Sequence, residues 1–490
     1  MFRRAMAMAI ASTFLISALA LGASSAAGTE WSAAAADAPE ITFPAGPSRL
    51  SGAGRYDTAV AVSQKYSPGV EAVFVATGQN FPDALSAAAA AASVGGPLLL
   101  TPSNALPAAV RAEIVRLAPE TIYIAGSQGA VSSAVETSLR GIAPVERLGG
   151  ASRYDTGNSL IQRIFPRAAQ AFIATGRTFP DALAATGAAG SVSAPVILVD
   201  GAQPTLTPET LALLGTLGVR SVTIVGGTGA VSPGIEGQLR STYDTQRIGG
   251  AGRYETAANV NDAFFTPGSA NAVFLATGQN FPDALAGAAL AGHVKSPVYV
   301  TTAACVPEAA HLSLQRLAAT STVALGGTAV VSNQAAGNIG CLTAAAPTIS
   351  GVARVNSALT ANTGSWTSGT SFAYQWLANG SPISQATGAS LSVSAGLAGK
   401  QISVRVTGSK AGYLSVSVQS GRTAAVSYPS RTTPIDIKNC PSWAPIKGNV
   451  GTKEKIYHVP GGRDYAKTNP EECFRTEAAA VSAGYRKSKV

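Results

Sequence analysis

The stretch VFVATGQNFPDALSAA, Val73 to Ala88, opens with a short apolar run, breaks at Thr77-Gly78 and restarts at Pro82-Asp83 as an Ala-rich segment of helix length. It reads as strand, turn and helix. Proline suits the first helical position, and a carboxylate in the first turn is stabilised by the helix dipole. The block returns as AFIATGRTFPDALAAT from Ala171 and as VFLATGQNFPDALAGA from Val273, so the chain is built by internal repetition.

Working outward, each copy is preceded by a second block: SGAGRYDTAVAV from Ser51, GGASRYDTGNSL from Gly149 and GGAGRYETAANV from Gly249. Each is followed by an apolar run (GPLLLT, APVILV, SPVYVT) and then by IYIAGSQGAVSSAVETSL from Ile122, TIVGGTGAVSPGIEGQL from Thr223 or VALGGTAVVSNQAAGNI from Val323. In one unit, Val73 to Ala76, Leu98 to Thr101 and Ile122 to Ala125 are strand-like runs separated by helix-length segments. Strand, helix, strand, helix, strand implies an α/β unit with a parallel sheet and right-handed crossovers. Three such units in series are expected to pack on one another.

The GRYDTA, ATGxxFPDAL and GGxxAVS blocks resemble the type 2 cell-wall-binding repeat family over about Arg49 to Cys341. The resemblance implies a pseudo-threefold arrangement and non-covalent attachment to an anionic polymer of a Gram-positive wall, or to peptidoglycan. Similar repeats accompany surface-layer proteins, adhesins and wall amidases. The expected units are 49–148, 149–248 and 249–341. The third departs most, with Glu255 in place of Asp57 and Asp155 and with a cysteine pair of its own.

Candidate polymer-binding residues follow from the repeated polar positions. Asp83, Asp181 and Asp283, together with Thr77, Thr175 and Thr277, fall where strands end, the edge at which open α/β sheets bind ligands. Arg55, Arg153 and Arg253 offer forked donors for phosphate or carboxylate, and the adjacent Tyr56, Tyr154 and Tyr254 offer faces for sugar. Against this stands a purely architectural reading, in which RYDT is a salt-bridged helix N-terminus and each FPDAL aspartate starts a helix and pairs with an arginine; residues packed where three repeats meet would look the same in sequence. Gly226-Gly227 and Gly326-Gly327 read as tight turns; without GxGxxG or a Walker sequence they do not imply a nucleotide.

No GxSxG or HExxH occurs, and a carboxylate present in triplicate is unlike a single catalytic pair, so the chain is read as non-catalytic. A wall hydrolase with an unrecognised site, or an adhesin, are the competing readings. No cofactor is expected.

Arg3 and Arg4, the uncharged run Ala5 to Gly22 and the small residues from Ala23 to Ala27 have the layout of a cleavable signal peptide, 1–27, followed by a linker, 28–48. The alternative is a retained anchor. No cysteine precedes Cys305 to carry a lipid, and the basic end Tyr485 to Val490 is unlike a sorting signal. An exported chain favours disulfides, expected as Cys305–Cys341 and Cys440–Cys473; a zinc site is the alternative, but the chain has no CxxC.

Beyond the repeats, 347–427 changes to short alternating strands. Phe372, Tyr374 and Trp376 share a face, Asn379-Gly380 makes a hairpin turn, and Ile402, Val404 and Val406 alternate. This reads as a β-sandwich that resembles bacterial immunoglobulin-like surface domains. Residues 428–490, with CPSWAPIKGN and KIYHVPGGRDY, look like a small disulfide-closed module found on some secreted nucleases. Of the net charge of +9, residues 49–341 contribute none, with 17 basic and 17 acidic side chains, whereas 342–490 carry 16 basic and 6 acidic. The basic end is expected to reinforce attraction to an anionic wall rather than to bind nucleic acid; after signal cleavage no membrane partner is expected.

Overall fold

The apolar runs of the repeats are buried on both faces, as strands sandwiched between crossover helices must be. A computed structural model describes residues 40–452 and 454–489. The signal peptide expected at 1–27 lies outside them. None of the helices among the described residues is long and apolar enough to cross a membrane.

The chain enters through a short strand, β1 (Gly46–Leu50), three of whose residues come from the stretch read as linker. The first repeat follows as α1 (Arg55–Ser63), β2 (Ala72–Thr77), α2 (Pro82–Ser93), β3 (Leu98–Thr101), α3 (Ala108–Leu117), β4 (Thr121–Ala125), α4 (Ser133–Arg140) and β5 (Val145–Leu148). The second runs α5 (Arg153–Ile164), β6 (Gln170–Thr175), α6 (Pro180–Ser191), β7 (Val196–Val199), α7 (Pro208–Leu217), β8 (Ser221–Val225), α8 (Pro233–Arg240) and β9 (Asp244–Ile248). The third runs α9 (Arg253–Phe264), β10 (Ala272–Thr277), α10 (Pro282–His293), β11 (Val298–Thr301), α11 (Glu308–Leu317), β12 (Ser321–Leu325), α12 (Asn333–Ala336) and β13 (Gly340–Cys341).

Two sheets are parallel in the order β3-β2-β4-β5 and β7-β6-β8-β9. The third sheet, β11-β10-β12-β1, takes its last strand from the start of the chain: Arg49 lies opposite Ala324 and Leu50 opposite Leu325. The repeats therefore form a closed ring. The strand donated from sequence-distant residues covers the edge of β12 just as β5 covers β4 and β9 covers β8 in the other two sheets.

The central helices α2, α6 and α10 are Ala-rich and apolar around nearly their whole circumference, so they have no solvent face and fill the middle of the ring. At their N-terminal ends Phe81, Phe179 and Phe281 meet edge to face, with ring centroids 6.2, 5.6 and 6.0 Å apart. At the other end the equivalent residues are Ala92, Gly190 and Gly292. A Cβ on Gly190 would stand 2.3 Å from the Gly292 carbonyl oxygen, so only glycine permits this crossing. The pseudo-threefold axis runs between these two groups.

After the ring come two antiparallel sheets, one of three strands within 348–392 and one of four within 371–419. Trp376 is fully buried between them and donates Nε1–H to the Gly388 carbonyl at 2.9 Å. Asn379 and Gly380 have φ of 50° and 92°, the two left-handed residues of a tight hairpin between Ala378 and Ser381. β13 pairs in parallel with Tyr413–Leu414 of this part, and the Tyr413 ring packs on His311 of α11 with centroids 4.7 Å apart. The last segment forms a five-stranded sheet with its own small core around Phe474, Tyr457 and Tyr485. Both expected disulfides are formed, Cys305–Cys341 and Cys440–Cys473.

Candidate functional site

Each FPDAL segment starts a helix at its proline, with the aspartate in the first turn. The carboxylate lies against the turn that follows the third long strand of the same repeat. There Gly126, Gly226 and Gly326 have φ of 111°, 112° and 91°, and a Cβ on them would strike the oxygens of Asp83, Asp181 and Asp283. The glycine pairs are thus tight turns that leave room for the aspartates.

The RYDT segments start helices of the next repeat around the ring. Helix α5 packs on α2, α9 on α6, and α1 on α10. The arginines at their starts consequently face the aspartate of the preceding repeat: Arg153 acts on Asp83 and Arg253 on Asp181, while Arg55 and Asp283 line one cleft. Burial pushes the Asp83 carboxyl above its usual range, against the opposing pull of the Thr156 hydroxyl and Arg153. Burial pushes Asp181 up to about 6 despite Arg253.

The other candidate side chains have structural neighbours. Thr77, Thr175 and Thr277 accept the backbone N–H of Gln79, Arg177 and Gln279, each at 3.2 Å. The arginines donate to the carbonyls of Gly78 at 2.5 Å, of Gly176 at 2.8 Å, and of Gly278. Tyr56, Tyr154 and Tyr254 press on the same glycines, where an added Cβ would meet the rings at 2.7, 2.7 and 2.8 Å. RYDT and ATG are therefore one packed unit within each repeat. Thr58, Thr156 and Thr256 accept from Gly52, Gly150 and Gly250 at the helix entry.

Sequence reasoning passed over a second set of arginines, Arg49, Arg147 and Arg247, which occupy the same register in β1, β5 and β9. All three donate to the carbonyl of the turn glycine, Gly326, Gly126 or Gly226. The signal was present as Arg-Leu or Arg-Ile immediately before each RYDT block. It also passed over the clustering of Phe81, Phe179 and Phe281, which no spacing along one repeat reveals.

The cleft shared by Arg55 and Asp283 has a volume of about 250 Å³ and is also lined by Thr277, Gln279, Asn280 and Val330. Its walls combine a guanidinium, a carboxylate, two amides and aliphatic surface, groups that suit hydroxyl-rich ligands with a charged substituent.

The model for cell wall binding domain 2 (CWB2) matches residues 49–136, 147–236 and 247–336, and the ArfC model matches 426–487. Among curated proteins, the chain is 31% identical over 255 residues to N-acetylmuramoyl-L-alanine amidase LytC of Bacillus subtilis (strain 168), covering 52% of this chain and 50% of that one. It is 29% identical over 262 residues to the amidase enhancer of the same organism, covering 54% and 36%. The chain thus spans half or less of these relatives. Among solved structures it is similar to Cwp6 from Clostridium difficile, with TM-score 0.56 and 26% identity over 60% of this chain and 48% of that one. Cwp8 from Clostridium difficile gives TM-score 0.53 and 30% identity over 58% and 50%. Because the three CWB2 matches together cover more than half of its length, the chain is a cell-wall surface protein that belongs to the cell wall binding domain 2 family.

Proposed function

We propose that this protein is a non-catalytic anchor that attaches to an anionic wall polymer through its ring of three repeats. The observation that carries the reading is that each repeated Arg faces the repeated Asp of the preceding repeat, and that at one of these junctions Arg55 and Asp283 line a cleft. Polymer contact falls to Arg55, Arg153 and Arg253 with Asp83, Asp181 and Asp283. Tyr56, Tyr154, Tyr254, Thr77, Thr175 and Thr277 hold the loops that present them. A guanidinium already tied to one carbonyl keeps its remaining N–H groups aimed outward at little entropic cost. The two β domains extend from the ring, and the basic end adds an attraction that weakens with salt.

The test is binding of the labelled chain to isolated walls before and after chemical removal of their anionic polymer. Retention that drops on stripped walls, together with no release of amino sugars or new amines from peptidoglycan, is the expected result. Equal retention on both would move the ligand to peptidoglycan, and turnover in preparations free of autolysin would make the chain an enzyme.

A further inference from the structure

The three Asp–Arg junctions between repeats are built alike but are not finished alike. Position 103 of the first repeat corresponds to 201 in the second and 303 in the third, since the carbonyls there accept from Ser132, Ser232 and Ser332 at 2.7, 2.8 and 2.8 Å. In the first repeat Ser103 donates to Gln79 Oε1 at 2.8 Å and lies 3.5 Å from Thr77 Oγ1, tying together the two loops that flank Asp83. In the second, Arg177 binds Asp200 through two N–H groups at 2.5 and 3.1 Å, and Gln203 binds the same carboxylate at 3.1 Å, tying the loops beside Asp181. The third has Ala303, which offers no hydroxyl. Gln279 there bonds through its backbone to Thr277, and its side-chain amide has no hydrogen-bond partner among the described residues. This is where the 250 Å³ cleft opens.

We infer that the cleft between the third and first repeats is the principal ligand site of the ring, and that it takes a single sugar unit bearing an anionic group. This rests on the wall-binding reading. The volume lies below the ~300–1,000 Å³ of sites for drug-sized molecules, which fits one saccharide unit. Pro282, Ala303, Ala329 and Val330 supply aliphatic surface for the C–H face of a sugar ring. The Asp283 carboxylate accepts from hydroxyls, and the free amide of Gln279 and the Nδ2 of Asn280 donate; Asn280 Oδ1 is already used by the Phe281 N–H at 2.9 Å. Arg55, with one Nη held by Gly78, turns its other N–H groups to phosphate or carboxylate. At the other two junctions the polar groups of these loops are already paired with each other, so a ligand must break those bonds before it gains its own.

The test uses the full chain with alanine methyl groups labelled for NMR and three probes: glucose 1-phosphate, glucuronate and glucose. Ala303 and Ala329 report on the cleft, Ala130 and Ala230 on the equivalent positions of the other two junctions. The expected result is a saturable shift of Ala303 and Ala329 at millimolar concentration with one or both anionic probes, several-fold weaker with glucose; whichever anion binds more tightly identifies the substituent as phosphate or carboxylate. Ala303→Ser, which restores the tie seen in the first repeat, is expected to lower wall affinity and probe affinity about tenfold at unchanged Tm, and Arg55→Ala to cost at least tenfold more wall affinity than Arg153→Ala. Comparable shifts at Ala130 and Ala230, equal response to glucose, no response to any probe, or wall binding indifferent to Ala303→Ser each overturn the inference. If the unaltered chain does not bind walls, the wall-binding reading itself fails.

Discussion

Arg147 of β5 donates to one oxygen of Glu136 in α4 through two N–H groups, at 2.9 and 2.7 Å, while a third N–H reaches the Gly126 carbonyl at 2.8 Å. Both side chains are more than four-fifths buried. The second repeat repeats the pairing with Arg247 and Glu236. In the third, Ala336 stands at the glutamate position, and Arg49 keeps its bond to the Gly326 carbonyl but finds Asn333 Oδ1, at 3.3 Å, in place of a carboxylate. These side chains staple the strand that joins one repeat to the next.

Removing Glu136 leaves a largely buried guanidinium with no counter-charge, so Glu136→Ala is expected to lower unfolding free energy by about 2–4 kcal/mol. Asn333→Ala at the third joint should cost under about 1 kcal/mol. Urea unfolding of the two variants checks the contrast, and similar losses would show that the joint does not depend on its carboxylate.

Asp181 gives a pH signature. Its folded carboxyl is raised to about 6 by burial, so its contribution to stability is full below the unfolded value near 3.9 and is lost as pH climbs through about 6. Asp181→Asn should therefore stabilise the protein at pH 7–8 by about 2 kcal/mol and make little difference at pH 4. Thermal unfolding across that range tests it; a stability gain that is larger at pH 4 than at pH 8 would contradict the raised carboxyl.

Deleting residues 41–50 removes β1 and the Phe43 ring, which stands edge-on to Phe274 at 5.3 Å. The edge of β12 is then left open. Loss of about 3 kcal/mol or more is expected, with amide exchange accelerating at Val323 and Leu325 well before Tyr123 or Ile224. Uniform acceleration across all three sheets would mean that the ring melts as one unit and has no weak joint.

The Cys305–Cys341 bridge fixes the segment that pairs with Tyr413–Leu414. Replacing both cysteines by serine should cost about 2–4 kcal/mol and expose residues 342–347 to limited proteolysis. Tyr413→Ala should produce the proteolysis without most of the stability loss, because it removes the docking ring and spares the cross-link. Protection of 342–347 in both variants would show that other contacts hold the β-sandwich to the ring.

Much of the chain could be read directly from its residues, because strand and helix periodicities are local. Val73 to Ala76 and its counterparts became strands, the prolines of FPDAL began helices, and Asn379-Gly380 turned a hairpin, since each choice is set by backbone sterics and by a neighbour a few residues away. The cysteine pairs were equally visible from their proximity. What tertiary structure alone decided was which repeat each polar side chain faces. Arg55 belongs to the first repeat in sequence and opens the cleft of the third, because β1 pairs with β12 only once the ring has closed. Phe81, Phe179 and Phe281 look like three separate helix starts until three helices meet on one axis. Ala303 is an ordinary small residue in the sequence and marks the open cleft only because the residues across from it come from another loop. Contacts of this kind depend on how the units close in space, a long-range geometry that no periodicity within one repeat encodes.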